Sequence, residues 1–187
     1  MNPFRNTANL TSTRLPQLLL ICVAAVGLIT STRHLNASQP EDRKLKEKKF
    51  ADMPVRVREV RNLQSDTWPN DLEIEVENVS NRPIYFLNVV LEFPDDPAPN
   101  GTSGIVLKHG QLENMDISRV AKAEDEHLDP GKTIWFTVSE VYRKGLLAKT
   151  KESPENFRRM ELSFSIISFG DGTGFEASQF LDLRKRK

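Results

Sequence analysis

The sequence predicts a mainly β protein: an antiparallel two-layer β-sandwich with one or two short helices, preceded by an N-terminal apolar segment. Between residues 54 and 183, short runs that alternate apolar and polar residues are separated by turn-forming residues. Ahead of them, residues 15–30, LPQLLLICVAAVGLIT, are almost continuously apolar. We therefore expect an export segment (1–32), a charged flexible linker (33–53), the sandwich domain (54–183) and a basic tail (184–187).

The N-terminal segment has the layout of a secretory signal or a short signal anchor. Arg5 and Arg14 precede the apolar run, and no carboxylate occurs before Glu41. The run is shorter than the about 20 residues that a spanning helix needs. No clean Ala-x-Ala cleavage site follows it, so cleavage and retention as an anchor both stay open. Either outcome predicts an extracytoplasmic domain, secreted or periplasmic, or held at the membrane through residues 15–32.

The charge balance argues against nucleic-acid binding, and the cysteine content argues against disulfides and thiol chemistry in the exported domain. The chain has 26 basic and 26 acidic side chains, and 24 and 26 remain once the first 32 residues are set aside. A nucleic-acid-binding domain needs an excess of Lys and Arg, so no nucleic-acid partner is expected. Cys22, the single cysteine, lies within the apolar run. The exported domain therefore has neither disulfides nor thiol chemistry.

Two charged segments flank the predicted domain. Residues 41–49, EDRKLKEKK, mix both signs and contain almost nothing to bury, which is typical of a solvated linker. Residues 184–187, RKRK, form a basic tail, interpreted as a polar end after the last strand.

The first strands are predicted from alternation. Leu72, Ile74 and Val76 alternate strictly with glutamates, which predicts a strand with one buried face. The next run, Ile84–Phe93, is apolar on both faces and predicts a central strand covered on both sides. Pro83 closes the turn-rich segment between these two strands. A strand over Pro54–Arg61, with Val60 out of step, indicates a bulge.

The second half of the domain adds loops, helices and a hairpin. Asp171 and Gly172 lie between two β-rich runs, a strong hairpin signal. The remaining predictions are a long surface loop at 94–104, a short strand at 105–108, an extended loop or short helix at 111–129, a strand at 133–139, a helix at 140–148 capped by Ser139, a helical turn at 153–155, and strands at 161–169 and 175–183. These six or seven strands predict a sandwich that is immunoglobulin-like in the loose sense.

Three segments resemble small secreted or membrane-anchored bacterial β-sandwich proteins of uncharacterised activity. They are EVENVSNRPIYFLNVVLEFPD (75–95), DPGKTIWFTVSE (129–140) and SFGDGTGFEASQF (168–180). In such proteins a strand ending in Asn-x-Ser leads through a proline turn into an aromatic strand. The resemblance implies fold and location only.

No metal or other cofactor is expected. The histidines are His34, His109 and His127, and the exported part has no cysteine, so blue-copper and structural zinc sites lack ligands. The acidic cluster at residues 124–129 could offer oxygens to Ca²⁺, but its spacing matches no EF-hand and favours a solvated loop.

Four residues are candidates for binding: Trp68, Trp135, Glu124 and Asp125. Trp68 lies in a turn-like segment and is expected to be partly exposed. Trp135 is out of phase with the residues beside it; it forms either a binding face or, as we favour, a second layer of the core. Glu124 and Asp125 are the carboxylates that a glycan or peptide hydrolase could use.

Three functions remain open, in order of preference. The first is a non-enzymatic module of the cell envelope that binds a protein or polysaccharide through loops 94–104 and 111–131 or through an exposed strand edge. The second is an envelope glycan or peptide hydrolase. The third is a structural subunit of a membrane-held assembly, with the linker as spacer.

Overall fold

The computed structural model describes residues 42–99 and 101–184, and in these ranges the prediction of a mainly β protein is confirmed. The predicted export segment and the last three residues of the tail lie outside the described residues. No helix within the described ranges is long and apolar enough to cross a membrane. The strands are β1 Lys44–Glu47, β2 Val55–Arg61, β3 Glu73–Asn78, β4 Phe86–Ala98, β5 Gly101–Gly110, β6 Thr133–Thr137, β7 Arg159–Ser168, β8 Thr173–Glu176 and β9 Gln179–Asp182; the helices are α1 Trp68–Asp71 and α2 Glu140–Glu152, and two 3₁₀ turns span Leu112–Met115 and Pro154–Phe157.

The strands form two sheets. The larger sheet has the order β5-β4-β7-β8-β9, with β1 beside β7, and the smaller sheet has the order β2-β3-β6. All neighbouring strands run antiparallel except β1 and β7, which are parallel.

Alternation in β3 places one face of the smaller sheet in the core. Ile74 and Val76 are fully buried, whereas Glu73, Glu75 and Glu77 lie on the opposite, half-exposed face. The β2–β3 ladder shifts register between Val57 and Glu59, where the sequence indicates a bulge.

Strand β4 is central in its pairing, but both of its faces are covered only at its beginning, where Phe86 and Leu87 are fully buried. Leu87 and Leu91 point into the core with no exposed surface. On the other face, Asn88 donates from Nδ2 to Ser165 Oγ at 2.9 Å and Lys48 Nζ lies 2.6 Å from Glu92 Oε2. Beyond Phe86, which is fully buried on this side, the outer face is half-exposed and carries Asn88, Val90 and Glu92.

The predicted surface loop at 94–104 is instead a hairpin. Strands β4 and β5 stay paired to Ala98 and Gly101, and a register shift between Phe93 and Pro97 accommodates the intervening residues. Asp96 is buried there and accepts hydrogen bonds from Ser103 Oγ and from Lys149 Nζ. Side-chain bonds therefore stabilise a segment whose proline and glycine content is typical of a loop.

The predicted linker is wrong from residue 44 onward. Lys44–Glu47 is strand β1, paired in register with Arg159–Leu162 of β7. Leu45, its one apolar residue, packs against the core, while Lys48 lies 2.8 Å from Glu161 Oε2. One apolar side chain and backbone pairing suffice to fix a segment that otherwise carries charge.

The predicted strand at 175–183 is two strands. Ala177 and Ser178 have φ angles of +46° and +69°, and they form a two-residue turn that folds β9 back onto β8.

The domain has two ends, defined by the direction of β7. At the proximal end, Arg159 pairs with Lys44, near the point where the chain enters the described domain. At the distal end, Ser168 leads into the turn at 169–172. Ten strand residues separate the two ends by about 30 Å.

Candidate functional site

Trp68 is a core residue, and the prediction that it is partly exposed is wrong. Its side chain has no exposed surface, and its ring centroid lies 5.9 Å from that of Phe93 and 6.5 Å from that of Phe157. The Trp-Pro-Asn-Asp segment forms the short helix α1 rather than an open turn, and α1 places the indole under the proximal end of the core. Trp68 is therefore unavailable to a ligand.

Trp135 lies on the outer face of the smaller sheet, which differs from the favoured placement in a second core layer. It is half-buried and pairs across the sheet with Glu75. The guanidinium carbon of Arg61 lies 4.1 Å from its ring centroid. An arginine side chain therefore covers one face of the indole on the outer side of the sheet.

Glu124 and Asp125 are adjacent in sequence but have opposite environments. Glu124 is exposed, whereas Asp125 is 4 % exposed. Asp125 Oδ2 accepts hydrogen bonds from the Lys122 backbone N–H and from Asn114 Nδ2, both at 3.1 Å. These bonds hold the pKa of Asp125 below its usual value, the backbone N–H contributing most.

Asp125 therefore stabilises the loop at 111–131. A general acid in glycoside hydrolysis needs a raised pKa, and Asp125 has the reverse. The structure does not place Glu124 and Asp125 as a facing carboxylate pair, since one points to solvent and the other into the loop.

The turn residues Pro83, Asp171 and Gly172 meet at the distal end. Asp171 accepts from the Thr173 backbone N–H at 3.0 Å, and Gly172 has a φ of +84°, as expected in a tight turn. Pro83 lies in the neighbouring loop between β3 and β4. Arg82, next to it, joins the two loops by donating from Nη1 to Asp171 Oδ2 at 3.2 Å and to Thr173 Oγ1 at 2.7 Å.

These loops form the rim of an open cleft of about 670 Å³, here called the distal cleft. The Arg82 guanidinium carbon lies 3.6 Å from the centroid of Phe169 in its wall. Phe175 lies 5.3 Å from Phe180, ring centroid to ring centroid. Phe180 is 53 % exposed and Val79 is 45 % exposed, so apolar surface reaches the solvent at the opening. The lining is Ala51, Asp52, Met53, Pro54, Val79, Ser80, Asn81, Arg82, Phe169, Phe175, Ser178 and Phe180.

A second concave surface, here called the edge groove, lies between β5 and β6. Its volume is about 450 Å³, and its lining is Val106, Leu107, Lys108, Ile134, Trp135, Phe136, Thr137, Ser139, Val141 and Tyr142. Trp135 is thus the one candidate binding residue from the sequence that lines either concavity.

Sequence reasoning missed Arg82, Val79 and Phe180 as binding candidates. Phe180 follows a turn at Ala177 and Ser178 that neither glycine nor proline marks, so its exposed position on β9 had no local signal. Phe175, the first residue of the run predicted as the last strand, also lines the distal cleft.

No group of three or more His, Cys, Asp or Glu side chains in the described ranges is placed to hold a metal ion. Comparison of the chain with protein-family models, with curated proteins and with solved structures finds no match.

Proposed function

We propose that this chain is an exported, non-enzymatic binding module of the cell envelope that recognises a partner protein through the distal cleft. The observation that carries the proposal is the exposed apolar surface at the opening of that cleft. Phe180 and Val79 remain 53 % and 45 % exposed beside the more deeply buried Phe169 and Phe175. Apolar side chains grouped at a concave opening are typical of a protein-binding site.

The architecture supports this role. Ile74, Val76 and Phe136 of the smaller sheet belong to the same core cluster as Leu87 and Leu91 of the larger one. We infer that the two sheets stack as a β-sandwich, immunoglobulin-like in the loose sense, a frame that presents loops at its ends.

The position of the cleft also supports recognition away from the membrane. The chain enters the described domain at the proximal end, where Arg43 donates from its backbone N–H to Gln64 Oε1 at 2.9 Å. Two of the loops that form its rim, 79–82 and 169–172, lie at the other end of β7, whose ten residues span about 30 Å. If residues 15–32 are retained as an anchor, the tether joins the domain at the end opposite the cleft.

A protein fits the cleft better than a polysaccharide does. The aromatic rings that line the cleft are all phenylalanines. Trp68, which the sequence offered as a binding residue, is buried in the core and does not line it. Nη1 of Arg82 is bonded to Asp171 and Thr173 and the guanidinium stacks on Phe169, so fewer of its donors remain for sugar hydroxyls. An apolar side chain of a partner would bury against Phe175 and Phe180.

The test compares the full chain in mild detergent with two variants as bait for the membrane and envelope extract of the source organism. Phe180→Ala removes an exposed ring of the cleft, and Leu112→Ala removes a 58 % exposed side chain outside it. We expect one protein to be retained by the wild type and by Leu112→Ala. Phe180→Ala should weaken its binding about tenfold or more, as for an interface hot spot.

Equal retention by all three baits would remove the distal cleft as the binding surface. Retention of glycan without protein would instead favour polysaccharide recognition.

A further inference from the structure

Strand β6 is an unprotected edge. It ends the smaller sheet, pairing with β3 on one side only. Its sequence, Thr-Ile-Trp-Phe-Thr, contains no charge and no proline, and its register with β3 is continuous from Thr133 to Thr137. Edge strands usually carry charges, prolines or bulges, because unpaired N–H and C=O groups otherwise recruit another strand.

The other edge strands of the described residues do carry such features. Strand β2 has Arg56, Arg58 and a bulge, β1 has three charged residues in four, β9 ends in Asp182, and β5 carries Lys108 and the register shift of its hairpin. The absence of protection at β6 is therefore a local property of this edge and not of the whole fold.

Beside β6, the edge groove offers a concave and largely apolar surface. Val106 and Leu107 of β5 form the opposite wall, and α2 closes one end with Val141 and Tyr142. Val141 is 87 % exposed and Tyr142 36 % exposed. A strand laid beside β6 would cover both residues while pairing its main chain.

We propose that the edge groove binds an extended segment of another polypeptide by strand addition to β6. A row of unpaired main-chain groups is matched by another main chain, and alternate side chains of the segment would face Val106 and Val141. The five residues of β6 set the paired length. This site shares no lining residue with the distal cleft, so it goes beyond the function proposed above.

Two observations define the occupant further. Lys108 is the one charged side chain among the described residues that line the groove, which calls for an acidic residue in the segment. Strand β6 itself contains no acidic residue, so a second copy paired through β6 would not place a carboxylate opposite Lys108. The occupant is therefore a projecting strand of a different protein rather than a second copy of this chain.

The experiment screens a displayed library of random ten-residue peptides against the full chain in detergent micelles. We expect enriched peptides with apolar residues at alternate positions and an acidic residue among them. A synthetic copy of an enriched peptide should bind the wild type, and methylation of alternate backbone nitrogens should weaken its binding about tenfold or more, because only strand pairing needs those N–H groups.

Matched variants locate the site. Val141→Asp should weaken peptide binding about tenfold or more, whereas Val120→Asp, at a 64 % exposed valine outside the groove, should leave it unchanged. Lys108→Glu should shift selection from acidic to basic peptides. Phe180→Ala should bind peptide like the wild type, which separates this site from the distal cleft.

Three results would overturn the proposal. They are the absence of any enriched peptide, binding that survives both backbone methylation and Val141→Asp, and a dimer of the full chain that Val141→Asp dissociates. The last result would assign the edge to a second copy.

Discussion

His109 is a buried imidazole at the end of β5, and its ionisation is opposed by its surroundings. It is 7 % exposed, and its Nε2 has no hydrogen-bond partner among the described residues. Burial lowers the pKa of His109, the nearby His127 lowers it further, and the carboxylate of Glu126, 3.5 Å from Nδ1, acts in the opposite direction. The domain therefore disfavours protonation of this residue.

This environment predicts a pH dependence of stability. In the unfolded chain the pKa of a histidine is about 6.5, so below that pH the unfolded state binds a proton that folded His109 resists. The free energy of unfolding is therefore unaffected by protonation of His109 above about pH 6.5. As the pH falls from there toward the pKa of folded His109, the protein loses about 1.4 kcal/mol of stability for each unit by which the folded pKa lies below the unfolded one. Urea unfolding between pH 7 and pH 5 should show a smaller loss of stability for His109→Leu than for the wild type. Identical pH profiles would contradict this expectation.

Individual residues also show where sequence reasoning stops. In the sequence, Glu124 and Asp125 are two neighbouring acidic residues with nothing to tell them apart. In the structure, only Asp125 accepts hydrogen bonds from Asn114 Nδ2 and the Lys122 backbone N–H. Trp68 follows turn-forming residues, but its burial depends on Phe93 and Phe157, which are distant in sequence. A side chain's exposure depends on such partners, and one sequence does not specify them.

At the scale of elements, one-sided alternation is the signal that predicts strands well. Strand β3 follows that pattern, and the structure has a strand there with the predicted face buried. Strand β1 lacks it because Lys-Leu-Lys-Glu offers only Leu45 for burial, and its partner β7 lies more than a hundred residues away in sequence. Pairing between distant segments, and not local propensity, makes β1 a strand.

This account of β1 predicts a stability loss from Leu45→Ala. Leu45 is partly buried against the core and pairs with Met160, which is 1 % exposed. Its truncation should lower the free energy of unfolding by about 1–2 kcal/mol, less than at a fully buried leucine. The same change at the exposed Leu112 should cost less than about 0.5 kcal/mol. Urea unfolding measures the change in the free energy of unfolding for both variants. Equally small changes would contradict this account and indicate that residues 44–47 behave as a linker.

At the scale of the whole molecule, the described domain receives the chain at one end and exposes the aromatic cleft at the other. Arg43 bonds Gln64 at the proximal end, whereas Arg82 joins two loops at the distal end. The binding role proposed above uses the loops joined by Arg82, which lie at the end of β7 opposite to Arg43.

Export itself is a prediction for the intact chain. Alkaline phosphatase fused after residue 187 should be active in a bacterial host, since that enzyme folds only outside the reducing cytoplasm. Deleting residues 15–30 should abolish the activity, because it removes the apolar run that directs export. Cys22→Ser should leave the activity unchanged, because the substitution keeps the run long and apolar. Activity that survives the deletion would exclude an export role for this segment.

The sequence alone determined that the protein is mainly β and where most strands and turns lie, because period-two alternation and residues such as Pro83, Asp171 and Gly172 act locally. Only the tertiary structure decided that Trp68 is buried, that Phe180 is exposed, that 44–47 is a strand, and that β5 and β6 flank a groove. These features depend on contacts between segments far apart in sequence. A single sequence lists the residues that make such contacts, but it does not specify which of them contact each other.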